Sequence, residues 1–323
     1  MDSAQLHVLA GVLRDREGRV LLAERPAGKH LAGMWEFPGG KREPGEAPLA
    51  ALARELDEEL GIALVEAAPL IRVPWRYHER TLLLDAWCVT QWRGEPRSLE
   101  GQRLQWSLPT RVDPATLAPA DRAILQALRL PPHYLITPAD VPLQERDTWF
   151  ERIVHAIQSG ERLLQLRLPL WPHAAVREFA AALLPLAREH GAQLLLNADV
   201  EGALALDMGV HLTGAQLAAL DGRPLPLQQT VGASCHDAAQ LAKALQLGVD
   251  FATLSPVMVT ASHPDGIPLG WDHFQMLAEA AAMPVYALGG MSPAQLAQAR
   301  AAGAQGVAGI RGFWPTPRRP AAT

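Results

Sequence analysis

The sequence predicts an α/β protein of two units, the second a (β/α)₈ barrel. Three observations carry that prediction. The chain is 323 residues long, more than one ordinary domain needs. Within residues 1–130, short apolar runs surround one helix that carries three glutamates on a single side. Beyond Pro131-Pro132, eight short apolar runs alternate with Ala- and Leu-rich helical stretches over roughly 180 residues.

The first unit reads as follows. Leu6 to Leu13 and Arg19 to Ala23 are strands joined by a turn at Asp15 to Gly18. Arg25 follows in a loop containing Gly and Pro. Trp35-Glu36-Phe37-Pro38-Gly39-Gly40 then leads into a helix over Ala47 to Leu60. Leu49, Leu52, Ala53, Leu56 and Leu60 recur at three- and four-residue steps and make its apolar face. Gly61 stands where a C-cap glycine belongs. Glu55, Glu58 and Glu59 project from one side of the last turns, where like charges repel and crowd the negative end of the helix dipole. A hard divalent cation resolves that conflict, since such ions take carboxylate oxygens and share them with phosphates. A solvated acidic helix end is the plainer alternative.

Leu70 to Tyr77 and Arg80 to Thr90 read as strands, and Trp92 to Pro96 as a loop. Glu100 lies in the following segment. A short helix over Asp121 to Leu130 takes Asp121 as its N-cap. Pro131-Pro132 ends it, which gives a first unit of 1–130, a linker at 131–133, a second unit of 134–314 and a mobile tail at 315–323.

In the second unit the strands are Tyr134 to Thr137, Leu163 to Leu168, Gln193 to Leu196, Val210 to Leu212, Thr230 to Ser234, Phe251 to Leu254, Val285 to Leu288 and Gly306 to Ile310. Helices over Arg146 to Gln158, His173 to His190, Asp237 to Leu247, Trp271 to Ala281 and Pro293 to Ala302 lie between most of them. A doubly wound open sheet fits the same alternation and stays open. Reactive groups belong at the carboxyl ends of the strands. Arg167, Asn197, His211, Ser234, His236 and Ser255 fall there. Gly289-Gly290 and Gly309 resemble a barrel phosphate site built from backbone N–H groups.

Composition narrows the function. About 49% of the residues are hydrophobic and 20% charged, and the net charge is −5, which lacks the basic footprint of a duplex nucleic-acid binder. Cys88 and Cys235 read as reduced thiols. No stretch approaches a transmembrane span, and the N-terminal apolar run is too short for a signal sequence, so the expected location is cytoplasmic.

The stretch from Gly40 to Ile62 resembles the Nudix box at every defining position: Gly40, Glu46, Arg54-Glu55-Leu56, Glu58-Glu59 and Gly61-Ile62. The resemblance implies an α/β/α sandwich with a mixed sheet and hydrolysis of a diphosphate linked to another moiety. It implies Mg²⁺ or Mn²⁺ held by Glu55, Glu58, Glu59 and the Gly40 carbonyl, with Arg54 orienting a ligand. The segments WEFPGGKREPGE and GEP…EGQ are similar to the MutT-like enzymes, which sanitise oxidised nucleotides such as 8-oxo-dGTP. Carried over by position, Glu100 becomes a further metal ligand or base, and Arg25, Phe37 and Arg80 flank the nucleotide. Arg25 and Arg80 read equally well as surface charges. Asp121 falls where these enzymes place an asparagine that reads the base. Ionised aspartate only accepts hydrogen bonds, so Asp121 is either a departure in base reading or a plain helix cap.

The second unit resembles thiamine-phosphate synthase and its relative TenI, a thiazole tautomerase, through YLITP, LQLR, LLLNAD, GVHLT, VGASCH, FATLSPVMVTASHPD and YALGGM. Several synthase positions differ. Pro169 replaces a lysine, Asn197-Ala198 replaces Asn-Asp, and Thr213 to Gln216 lacks an acidic metal ligand. His236 corresponds to a TenI catalytic histidine. The combined expectation is a nucleoside triphosphate pyrophosphohydrolase fused to a barrel that takes a thiazole or pyrimidine phosphate. The alternatives are a hydrolase of a thiamine-pathway pyrimidine diphosphate and a non-catalytic sensor barrel. Assembly into a homo-oligomer is left open.

Overall fold

The computed structural model of the chain describes residues 6–77, 80–259 and 267–314. The tail from Pro315, expected to be mobile, lies outside the described residues. So does 260–266 of the FATLSPVMVTASHPD segment. The main divide between two compact units falls between Leu130 and Pro131.

The first unit comprises β1 (Leu6–Leu13), β2 (Val20–Glu24), β3 (Trp35–Glu36), α1 (Pro48–Leu60), β4 (Ala63–Tyr77), β5 (Arg80–Arg93), β6 (Leu104–Ser107) and α2 (Asp121–Arg129). Its larger sheet runs β1-β5-β4, with β1 parallel and β4 antiparallel to β5. The smaller sheet, β3-β2-β6, is antiparallel. Alternation along β1 sorts its side chains between two cores. Leu9 and Leu13 join Leu52, Leu56 and Leu60 of α1, while Ala10 and Val12 join Ile124 and Leu125 of α2. The mixed sheet therefore has a helix on each face. Leu52, Leu56 and Leu60 are fully buried, so truncating any of them to Ala costs about 2–5 kcal/mol.

Four features depart from expectation. β4 begins at Ala63 rather than Leu70, because register shifts between Leu64 and Glu66 and between Pro69 and Ile71 break the alternation that would reveal it. β5 continues to Arg93, so Trp92-Arg93 is strand and not loop. The short strands β3 and β6 carry too few residues to show a period. Asp121 is the first residue of α2 and not its N-cap; Ala120 holds that position without a side-chain bond, and the Asp121 carboxylate is used elsewhere.

In the second unit the strands are β7 (His133–Ile136), β8 (Leu163–Leu166), β9 (Gln193–Asn197), β10 (Gly209–Leu212), β11 (Val231–Cys235), β12 (Phe251–Leu254), β13 (Val285–Leu288) and β14 (Gly306–Gly309). They close in parallel, β14 pairing with β7, which excludes the open sheet. The helices are α3 (Arg146–Gln158), α4 (His173–Glu189), α5 (Val200–Leu206), α6 (Gly214–Ala219), α7 (Ala238–Leu247), α8 (Gly270–Ala280) and α9 (Leu296–Ala301). α5 and α6 escape the sequence reading because they are too short to show a full apolar stripe. Inside the barrel, Phe251 meets Tyr134 and Tyr286 edge-on at 5.1 and 5.3 Å between ring centroids, and Tyr134 lies 5.6 Å from His211. Gly232 makes room for this cluster: a Cβ there would come within 2.6 Å of the Phe251 ring.

Candidate active site

The first cluster forms where the β3–α1 loop meets the last turns of α1. Gly39 and Gly40 are required by close approach. A Cβ on Gly39 would lie 2.2 Å from the Leu9 carbonyl oxygen, and one on Gly40 would lie 2.1 Å from a Glu55 carboxylate oxygen. The backbone N–H of Gly39 donates to Glu59 Oε2 at 3.0 Å. The Gly40 carbonyl accepts from Leu9 N at 2.8 Å, which fixes the loop against β1.

Arg54 organises the acidic side of α1. Its Nη1 donates to Glu55 Oε1 at 2.9 Å and to Glu58 Oε2 at 3.3 Å, and its Nε and Nη2 both donate to the Glu46 carboxylate at 3.1 Å. Glu58 faces solvent, whereas Glu55 is largely covered. Among the described residues, Glu59 has no ion pair. Burial pushes its carboxyl up to about 7; the Gly39 N–H bond opposes this, and the nearby charges of Glu36, Glu100 and Glu55 add to it. Glu100, from the loop before β6, pairs with Lys29 Nζ at 3.4 Å. Among the described residues, no group of three or more His, Cys, Asp or Glu side chains converges closely enough to hold a metal ion as the side chains stand. The carboxylates instead converge on Arg54 or, for Glu59, face one another's charge.

Next to this cluster lies a second set of groups. Phe37 is buried, and its backbone N–H donates to Asp121 Oδ1 at 2.9 Å. Burial pushes Asp121 up to about 7 against that hydrogen bond, and the Glu36 charge raises it further. Arg25 is ion-paired with Glu36 and donates through Nε to the His30 carbonyl at 2.7 Å. Arg25 also lines an open groove with Gly33, Gln102 and Arg103. Arg80 begins β5, and its side chain lies outside the described residues. Glu36 was not expected from the sequence. Burial raises its carboxyl, with Arg25 opposing. The signal available was an acid between two aromatics in an otherwise apolar run.

At the carboxyl end of the barrel, His236 Nδ1 lies 2.7 Å from the Ser255 carbonyl oxygen, which fixes the proton on Nδ1 and leaves Nε2 as the basic nitrogen. Gly289 and Gly290 have φ of 105° and 73°, and Cβ atoms there would press on Pro256 and Met258. A Cβ on Gly309 would lie 2.3 Å from the Phe313 ring. The polar groups at or beside the positions of the synthase carboxylates are engaged within the fold. Asp199 receives Arg177 Nε and Nη2 at 2.7 and 2.6 Å and caps α5 through the Gly202 N–H. Thr213 and Gln216 form a reciprocal capping box on α6, and Gln216 Nε2 also donates to the Ala198 carbonyl at 2.7 Å. Ala198 itself has φ of 61°.

A mixed sheet with a helix on each face, a glycine pair against a helix-borne glutamate cluster, and a separate closed barrel together define a hydrolase of the Nudix class joined to a barrel of the thiamine-phosphate synthase kind. Comparison with known proteins agrees. Residues 9–127 match the NUDIX domain family and residues 133–313 match the thiamine monophosphate synthase family. The chain is 42% identical over 101 residues to an 8-oxo-dGTP diphosphatase of Proteus vulgaris, covering 31% of this chain and 90% of that protein. It is 40% identical over 122 residues to a CTP pyrophosphohydrolase of Escherichia coli K12, covering 38% and 90%. In the barrel it is 34% identical over 160 residues to a thiamine-phosphate synthase of Synechococcus, covering 49% and 45%. The chain belongs to the Nudix hydrolases through its first unit and to the thiamine monophosphate synthase family through its second.

Proposed function

We propose that the first unit hydrolyses a nucleoside triphosphate to the monophosphate and pyrophosphate, with 8-oxo-dGTP as the preferred substrate and nucleotide-pool sanitation as the role. The carrying observation is Glu59, a half-buried carboxyl raised to about 7 by burial and by the negative charges of Glu36, Glu100 and Glu55. A carboxyl set among other acids, with no ion pair of its own among the described residues, suits a divalent cation, and Glu55, Glu58, Glu59, Glu100 and the Gly40 carbonyl are the groups that would hold Mg²⁺ or Mn²⁺. When bound, such an ion polarises phosphoryl oxygens and acidifies water. The chain's own residues do the rest. Arg54 orients Glu55 and Glu58, the Gly39 N–H fixes Glu59, and Arg25 supplies a cation beside the nucleotide groove.

Asp121 supports a base with mixed polarity. Near neutral pH its protonated form offers one O–H donor and retains acceptor capacity, as an asparagine amide does. 8-Oxoguanine presents an N7–H donor beside an O6 acceptor. Three of the curated relatives are 8-oxo-dGTP diphosphatases, and one is a CTP pyrophosphohydrolase. The test is product release with Mg²⁺ across 8-oxo-dGTP, dGTP, CTP and hydroxymethylpyrimidine diphosphate at equal concentrations. Preferential pyrophosphate release from 8-oxo-dGTP is expected. Preference for CTP, or phosphate release from the pyrimidine diphosphate, would overturn the substrate assignment. Glu55→Gln and Glu59→Gln are each expected to lower the rate by about 10²–10⁴-fold, and near-normal rates would remove the metal role.

For the barrel, the ion-paired Asp199 and the capping box at Thr213–Gln216 disfavour metal-dependent displacement of pyrophosphate. The oriented His236 favours binding of a phosphate monoester with proton transfer at Nε2, a tautomerase-like reaction. A His236→Gln variant is expected to bind such an ester and fail to isomerise it. Binding without turnover in the wild-type chain would instead support the sensor reading.

A further inference from the structure

Three side chains join the larger sheet of the first unit to the β3–α1 loop. Asp85 stands opposite Leu9 of β1 and Arg72 of β4 in that sheet, and only 2% of its side chain is exposed. Its Oδ2 lies 3.6 Å from Arg72 Nε and 3.3 Å from His7 Nε2. His7 Nδ1 in turn lies 3.3 Å from Nη1 of Arg42, in the loop. The hydrogens follow from what each group can do. A guanidinium donates and never accepts, so His7 Nδ1 must be bare. The ring proton then sits on Nε2 and is donated to the Asp85 carboxylate. Asp85 is thereby matched by a cation on one side and an N–H on the other, as a buried acid must be.

Arg42 passes this anchorage on. Its backbone N–H donates to the His7 carbonyl at 2.9 Å, and its Nε donates to the Glu46 carbonyl at 2.5 Å. Between Arg42 and Glu46 the chain turns through Gly45, at φ of 80°, and closes on itself, the Glu43 N–H donating to Glu46 Oε2 at 3.1 Å. That turn is the socket of Arg54. Arg54 Nη2 donates to the Lys41 carbonyl at 3.0 Å, and its Nε and Nη2 grip the Glu46 carboxylate. Through Nη1, Arg54 then reaches Glu55 and Glu58. A path of hydrogen bonds therefore runs from the buried Asp85, through His7, Arg42 and the turn, to two carboxylates of α1. His7 and Asp85 both lie outside the Gly40–Ile62 stretch.

We infer that His7 is a positioning residue for the hydrolase. Held by Asp85, it accepts from Arg42 and fixes the 41–46 turn, so that Arg54 presents Glu55 and Glu58 in one arrangement. His7 is not among the groups that would hold the metal; it acts through Arg42. The consequence for the metal rests on the role of Glu55 and Glu58 proposed above, whereas the direction of the hydrogen bonds does not.

The experiment uses the full chain with ¹⁵N-labelled histidine. Long-range ¹H–¹⁵N spectra report the tautomer of His7, whose signal is identified by its loss in His7→Phe. A proton on Nε2 with Nδ1 bare is expected; a proton on Nδ1 would overturn the path from Asp85 to Arg42. Mn²⁺ is the binding probe, titrated without nucleotide and read by water proton relaxation. His7→Phe keeps a ring and removes both side-chain bonds, and Arg42→Met keeps an unbranched side chain and removes the fork. Each is expected to weaken Mn²⁺ binding about three- to tenfold, less than the loss of a group bonded directly to a ligand. Because both act on one path, the double variant should bind within about twofold of the weaker single variant. Unchanged Mn²⁺ affinity, whatever the Tm, would make His7 merely structural and overturn the inference, and so would fully additive losses. Arg42 lies partly exposed on a loop, so its variant decides the matter even if His7→Phe does not fold. A wild-type chain that binds no Mn²⁺ would overturn the metal reading and the positioning role with it, and the tautomer measurement keeps the two failures apart.

Discussion

Asp121 sits on a helix start, yet its carboxyl does not cap that helix; it holds the backbone N–H of Phe37, 84 residues away in sequence. A carboxyl raised to about 7 weakens the fold as it ionises, because the unfolded chain ionises it at its ordinary value of 3.8 without penalty. Wild-type stability is therefore expected to decline as pH rises between about 4 and 7. Asp121→Asn keeps the acceptor for Phe37 and removes the penalty. It should match the wild type below pH 4 and exceed it at pH 8 by on the order of 1–4 kcal/mol, measured as Tm against pH. A variant no more stable than wild type at pH 8 would mean that Asp121 ionises normally. Gly40 gives a second test at this scale. Gly40→Ala places a methyl group on the Glu55 carboxylate, so hydrolysis should fall about 100-fold or more with the far-UV spectrum intact. That a helix starts at Asp121 was legible in the sequence. The protonation of Asp121 was not, since that depends on burial by residues distant along the chain.

Among the elements, α1 was readable almost to the residue because its apolar face, its Gly61 cap and its clustered acids agree with one another. β4 was half hidden, because bulges cancel the period-two signal that strand reading depends on. The closed barrel was legible from the alternation of strands and helices, though α5 and α6 were not. α5 shows what that omission concealed. Its N-cap, Asp199, directly follows the Asn197-Ala198 pair, and in the fold it is committed to Arg177 and Gly202. The Arg177 hydrogen bonds hold the Asp199 carboxyl below the usual carboxylate range. Its contribution is thus complete above pH 4 and lost as pH falls through the lowered value. Asp199→Ala should cost about 1–2 kcal/mol from cap and ion pair together, a deficit constant from pH 6 to 8 and shrinking below pH 4.

Across the whole molecule, neither Cys88 nor Cys235 is in a disulfide. Reductant should leave Tm unchanged. Burial pushes the Cys235 thiol up to about 12, so at pH 8 iodoacetamide should label Cys88 well before Cys235 in the native chain, as read by peptide mass mapping. Equal labelling would mean that the barrel opens around β11.

Ala198 stands where the synthase resemblance expects an aspartate. Alanine pays about 1 kcal/mol or more to hold the left-handed conformation seen there, a conformation that Asp, Asn and Gly enter readily. The main chain at this bend favours Asn, Asp or Gly, so placing an acid there meets no backbone barrier. Ala198→Gly or Ala198→Asn should raise stability, and Ala198→Asp should be tolerated. The bend is already shaped for such a side chain, which makes position 198 the natural starting point for placing a carboxylate in the barrel.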